Sequence, residues 1–281
     1  MEFILSKEEY LKIIEEKCDN KVTCEIMEQQ IDRYYEAKSF AISEHKYKIG
    51  DNVFLKKGTL LHGTYKNLDG LKEIVKNGLI SSWFVNGRMS KYPGSVGVWN
   101  LKQDYLLKDY INFYSGGTIE YKDMEEVTIK TDVIPHSEMK NITNTLDTNF
   151  CYRWRMEQTK EARFLPSYVQ NKVQIGIILN GNNNAIKELL KGDILSNNVS
   201  DEDVREFINP YYYEKFIIAR KEKDDFFTDR ESAILFGIPS NLIEGILVGR
   251  EYENDNEKLL EIKKILPNAY ICNLDGKVVI I

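Results

Sequence analysis

Three short stretches of this chain carry residue types able to do chemistry. The first is Leu61-His62-Gly63-Thr64. An imidazole offers a donor and an acceptor to a polar ligand, and a glycine beside it lets a ligand approach the backbone because no Cβ intervenes. The second is the glycine-rich run Gly94-Ser95-Val96-Gly97-Val98-Trp99, followed by Tyr110, Phe113 and Tyr114. The third is Asp229-Arg230-Glu231-Ser232, where a carboxylate opens an apolar stretch; a carboxylate held against a reacting ring stabilises positive charge developing there. Each has an ordinary alternative. His62 alone reads as a satisfied structural histidine, Thr64 as a β-branched strand-end residue, and Glu231 as a charge protecting a strand edge. Asp229 and Glu244 are rival carboxylates. Arg153-Trp154-Arg155 with Arg163 can hold a pyrophosphate or nucleic acid, but Glu157 and Glu161 among them favour a solvated helix face. His45 and His136 have no evident partners, and Tyr211-Tyr212-Tyr213 reads as packing or as lining for an acceptor surface.

Positioning these residues falls to a mixed set of elements. Ser6-Lys7-Glu8-Glu9 is a capping box that opens a helix to about Cys18. A second helix is expected from about Thr23 to His45, with Ile26, Met27, Ile31, Tyr34 and Tyr35 on one face and glutamates, glutamines and lysines on the other. After the turn-rich Lys48-Ile49-Gly50-Asp51 the pattern changes to short strands at 52–55 and 59–64. A helix from Leu68 to Asn77 closed by Gly78 follows, then a strand at 95–99 and a helix from Asp104 to Tyr114. Further strands are expected at 173–179, 215–220, 233–236, 243–248 and 269–272, with helices at 185–190, 201–207 and 256–265 and a loop at 180–184. Strands grouped irregularly with helices argue for α+β rather than an alternating parallel sheet. The expected organisation is a helical segment at 1–48 and a main domain at 49–281.

Composition narrows the classes. The chain has 281 residues, enough for a large core, and its 44 acidic against 38 basic residues give no global pull toward nucleic acid or anionic membrane. Cys18, Cys24, Cys151 and Cys272 show no CxxC spacing and no neighbouring histidine, so free, mostly buried thiols are expected and no metal site. The first residues lack the basic flank and apolar run of a secretory signal, and no stretch approaches the ~18 apolar residues of a membrane helix. A cytoplasmic protein without a membrane partner is the expectation.

The order of the motifs resembles the ADP-ribosyltransferase superfamily, in its poly(ADP-ribose) polymerase and diphtheria-toxin-like branch. There a strand ends in His-Gly-Ser or His-Gly-Thr, and a helix and a Gly-Leu pair follow, as do Gly70-Leu71 and Gly78-Leu79 here. A glycine-rich strand comes next, with Trp99 where the family usually has tyrosine, then an aromatic-bearing helix and, far downstream, a glutamate that opens a strand. The resemblance spans about 60–248 in pieces and does not cover 1–50 or 118–168. No Ser-Thr-Ser strand of the arginine-specific branch is present, which favours the His type.

The resemblance implies a split, mainly antiparallel β-sandwich with an N-terminal helical layer, and NAD as co-substrate. It implies that His62 bonds the adenosine ribose, that the Gly63 backbone pairs with the nicotinamide amide, and that Thr64 adds a ribose contact. Trp99, Tyr110 and Tyr114 compete to stack on nicotinamide, with Tyr110 favoured by spacing. Glu231 is the expected catalytic residue, and Asp229 is placed to help select the acceptor. The implied reaction is mono-ADP-ribosylation of a protein, nucleic acid or small molecule with release of nicotinamide. The alternatives are a catalytically inactive NAD-binding or interaction module of the same fold, and an NAD-dependent RNA 2′-phosphotransferase.

Overall fold

The computed structural model describes residues 5–18, 21–40, 46–64, 68–81, 84, 95–108, 127–130, 161–164, 175–196, 198–207, 230–273 and 275–281. Helix α1 (Lys7–Lys17) begins at the expected capping box. The Ser6 hydroxyl accepts the Glu9 N–H at 3.2 Å, and the Glu9 carboxylate accepts the Ser6 N–H at 2.7 Å. Helix α2 (Lys21–Ala37) starts two residues before the expected Thr23 and ends well short of His45, which lies outside the described residues. Met27, Ile31 and Tyr34 are buried as expected, but so is Gln30, which the periodicity puts on the polar face. Its amide donates to the Leu189 carbonyl at 3.0 Å, which satisfies a group that would otherwise resist burial.

Strands β1 (Phe54–Leu55) and β2 (Leu60–Thr64) precede α3 (Leu68–Asn77). Gly78 closes that helix with φ +86, a conformation natural to glycine, and its N–H reaches the Ile74 carbonyl at 2.7 Å. Then come β3 (Leu79–Ile80), β4 (Ser95–Asn100) and β5 (Tyr105–Leu106). The expected helix at 104–114 thus begins instead as a strand, because Tyr105 and Leu106 pair with Leu55 and Phe54. Beyond β6 (Val127–Lys130) and β7 (Glu161–Phe164) lie β8 (Ile175–Leu179), α4 (Asn184–Leu189) and α5 (Asp201–Phe207). The chain closes with β9 (Arg230–Leu235), β10 (Gly237–Ile238), β11 (Ile243–Val248), α6 (Arg250–Glu253), α7 (Asn256–Ile265), β12 (Tyr270–Cys272) and β13 (Val278–Ile280). The strand expected at 215–220 lies outside the described residues, as do Cys151, His136, Asp229, Arg153-Trp154-Arg155 and Tyr211-Tyr212-Tyr213. Cys18 and Cys24 are partly buried and Cys272 fully so, all three as free thiols.

The described strands form one seven-stranded sheet, in the order β13-β12-β11-β8-β2-β4-β9, and three two-stranded ribbons. Every junction of the large sheet is antiparallel except β11–β12. With helices beside these strands the architecture is mixed α and β.

Both faces of the sheet are covered. One carries the large core, in which Leu60, Val96, Val98, Ile175, Ile177, Leu179, Ile246 and Ile271 meet Tyr10, Ile14, Met27, Ile31 and Tyr34 of the first two helices. The other carries a smaller core around Val53, Leu55, Leu61, Ile178, Leu247 and Tyr270. That double cover explains why central β8 is five apolar or small residues in succession, all buried, rather than an alternation. At the end of β9, Phe236 sits at 0% exposure with φ +61. Its ring meets Tyr10, Tyr34 and Phe84 edge-on at 4.9–5.0 Å between centroids, joining α1 and α2 to the edge of the sheet.

Candidate functional site

β2, β4 and β9 are neighbours, so Leu61-His62-Gly63-Thr64, 95–99 and Arg230-Glu231-Ser232, far apart in sequence, lie on adjacent strands. The Leu101 N–H bonds the Thr59 carbonyl at 3.0 Å, Leu60 pairs with Asn100, Leu61 pairs with Trp99, and there the β2–β4 ladder stops. On its other side β2 stays paired with β8 as far as Thr64, and β4 stays paired with β9 as far as Ser95. The two halves of the sheet therefore part at His62-Gly63-Thr64. Antiparallel ladders alternate hydrogen-bonded and non-bonded pairs. Counted from Thr59–Leu101, the next bonded pair after Leu61–Trp99 is Gly63 with Gly97. At that place the Gly97 carbonyl instead meets Nδ1 of His62 at 2.8 Å.

A carbonyl only accepts, so Nδ1 carries the proton and Nε2 presents a lone pair. Burial pushes the His62 pKa below its ordinary value, with the Gly97 carbonyl pulling it back in part. The ring is thereby held neutral, with one nitrogen committed to the protein and the other suited to accept from a hydroxyl.

Glu231 is the second residue of β9, which begins at Arg230 rather than at the expected Ala233. Its backbone shares a row with Trp99 and Leu61. His62 occupies the next row, opposite Ile177. Successive rows of a pleated sheet belong to opposite faces, so His62 and Glu231 stand in adjacent rows of opposite facing, and Glu231 lies across β4 in the last row that β2 and β4 share. With strands about 4.8 Å apart, β2 and β9 are separated by about 10 Å. Gly63 and Thr64 follow His62 along the rim of the opening. Trp99 stands at its closed end, as the last β4 residue paired with β2. Tyr110 and Tyr114 lie outside the described residues. The rival Glu244 is half-buried, at a register irregularity in β11, and burial raises its pKa against the pull of Lys56. Three strands, β8, β2 and β4, separate it from β9.

One polar residue beside β9 was not singled out by spacing. Asp193 follows the short turn after α4, and its Oδ1 accepts the Leu195 N–H at 3.0 Å and the Ala233 N–H at 2.8 Å. The Ser232 hydroxyl also bonds this carboxylate. Burial raises the Asp193 pKa, while these hydrogen bonds and the Lys102 charge act the other way. The sequence signal is thin: an aspartate directly before the apolar Ile194 and Leu195.

No family model, curated protein or solved structure matches the chain. Among the described residues no helix is long and apolar enough to cross a membrane.

Proposed function

We propose that this chain is an NAD-dependent mono-ADP-ribosyltransferase with the split β-sandwich of that superfamily. The observation that carries the reading is the parting of β2 and β4 at His62-Gly63-Thr64, with the His62 imidazole bonded to Gly97 where the ladder would continue. The parting leaves the Gly63–Gly97 position for a ligand amide, which suits nicotinamide. The neutral His62 ring accepts a ribose hydroxyl through Nε2. The span of about 10 Å from β2 to β9, across β4, suits two riboses joined through a pyrophosphate, with the adenosine ribose at His62 and the nicotinamide ribose at Glu231.

In this reaction the bond between ribose C1′ and the nicotinamide nitrogen breaks, and its electron pair leaves with nicotinamide. The Glu231 carboxylate stabilises the positive charge developing on the ribose and holds a ribose hydroxyl. The acceptor nucleophile then bonds C1′ and gives up its proton. Trp99, Tyr110 and Tyr114 remain the candidates to stack on nicotinamide, and Thr64 adds a ribose contact. The acceptor is a protein, a nucleic acid or a small molecule.

The test is nicotinamide release by purified protein supplied with NAD. Wild type releases nicotinamide; Glu231→Gln retains much of the NAD binding and loses turnover by about 100-fold or more, and His62→Ala weakens binding. Undiminished turnover in both variants overturns the assignment. Saturable binding of NAD by wild type without release supports the inactive binding module in its place.

A further inference from the structure

β9 is the edge strand of the large sheet, and an edge strand is held on one side only unless something else grips it. Its inner side is paired with β4 over all six residues from Arg230 to Leu235. On its outer side the described chain offers no further strand, but the segment after α4 grips one residue. Asp193 Oδ1 accepts the Ala233 N–H at 2.8 Å, and the Ala233 carbonyl accepts the Ile194 N–H at 3.0 Å. Both backbone groups of Ala233 are thus bound by two consecutive residues, two positions from Glu231 on the same strand. The same Oδ1 also takes the Leu195 N–H at 3.0 Å, which fixes the carboxylate to its own turn, and the Ser232 hydroxyl adds a third partner. Gln30 of α2 anchors that turn from behind through the Leu189 carbonyl.

We infer that Asp193 is a positioning residue for the reaction proposed above: it clamps the outer edge of β9 at Ala233 and so fixes the place of the strand segment that carries Glu231. The inference rests on the NAD-transfer reading and adds to it a residue that touches neither substrate nor reacting atoms.

The part of Asp193 that matters is one oxygen accepting two backbone N–H groups, and this sets the test. Asparagine keeps that oxygen in place, alanine removes it, and glutamine carries it one methylene further out. The measurement is steady-state nicotinamide release from NAD, with kcat expressed per folded molecule from the denaturation curve of each variant. Asp193→Ala is expected to lower kcat about 10- to 100-fold, the range for a small misplacement of a reacting group, with KM for NAD changed by less than about threefold. Asp193→Asn is expected to restore kcat to within about threefold of wild type. Should Asp193→Ala fail to fold, Asp193→Gln takes its place and shows the same loss of kcat. A wild-type kcat per folded molecule in Asp193→Ala or Asp193→Gln overturns the inference and leaves the NAD reading standing, since the residue would then serve stability alone. A loss confined to KM overturns it as well. If wild type itself releases no nicotinamide, the NAD reading fails and the positioning role falls with it.

Discussion

Phe236→Ala tests the link between the helical layer and the strand that carries Glu231. The ring is fully enclosed by Tyr10, Tyr34 and Phe84, so truncation leaves a cavity walled by side chains from α1, α2 and the segment after β3. Phenylalanine-to-alanine changes in cores cost about 3–5 kcal/mol. Three edge-on ring contacts, each worth about 0.5–1.5 kcal/mol beyond burial, put this site in the upper half of that range. Alanine keeps a Cβ at φ +61 and therefore keeps the strain of about 1–2 kcal/mol that a non-glycine residue bears there. Phe236→Gly releases the strain at the cost of about 0.5–1 kcal/mol of backbone entropy. The expectation is a loss of about 4–5 kcal/mol in Phe236→Ala, with a melting point lower by roughly 8–20 °C. Phe236→Gly should be no less stable than Phe236→Ala, against the usual order. Urea denaturation with thermal melting of the three proteins decides the matter. A loss under about 1.5 kcal/mol in Phe236→Ala would refute the ring's role as a hub. Glycine less stable than alanine by more than about 1 kcal/mol would refute the strain argument.

Gly78→Ala should destabilise by about 2–4 kcal/mol in the same urea assay, because a Cβ there is strained by φ +86 and meets the Tyr34 hydroxyl and, at 2.9 Å, the Ile238 carbonyl oxygen. Gln30→Leu should lose about 1–3 kcal/mol, since it leaves the buried Leu189 carbonyl without the amide donor it now has. The His62 pKa is lower in the folded protein than in the unfolded chain, so the unfolded chain binds the extra proton. Stability from this group is therefore present above about pH 6.5 and is lost as pH falls below it, until the folded ring also protonates. Wild type should lose stability between about pH 6.5 and 5 relative to His62→Gln, and parallel curves for the two proteins would contradict the neutral, part-buried ring. Asp193 and Glu244 have raised pKa values and act in the opposite sense, weakening stability as pH rises through their folded values, and they cancel in that comparison.

What the sequence made legible was local. Ser6 and Glu9 satisfy each other's backbone within one turn, Leu68–Asn77 closes on Gly78, and the helix at Asn256–Ile265 and the strand at Ile243–Val248 lie where their patterns place them. What escaped it depends on partners far along the chain. Tyr105 and Leu106 lie at the start of a helical pattern but become a strand because β1, fifty residues earlier, pairs with them. Gln30 is polar in type and buried in fact because a carbonyl 159 residues away meets its amide. Arg230 and Glu231 look too charged to belong to the strand that begins at Ala233, and pairing with Asn100 and Trp99 extends it over them. The adjacency of β2, β4 and β9 rests on pairings between strands far apart along the chain. The parting of β2 from β4 and the clamp from Asp193 arise from three-dimensional register, which spacing in a single chain does not encode.

Amide hydrogen exchange with and without saturating NAD tests directly whether the ligand seats where β2 parts from β4. Slower exchange is expected in 60–64 of β2 and 95–100 of β4 when NAD is present, together with 230–235 of β9, and no change in 270–280 at the far end of the sheet. Unchanged exchange throughout, or protection confined to the β11–β13 side, would contradict it.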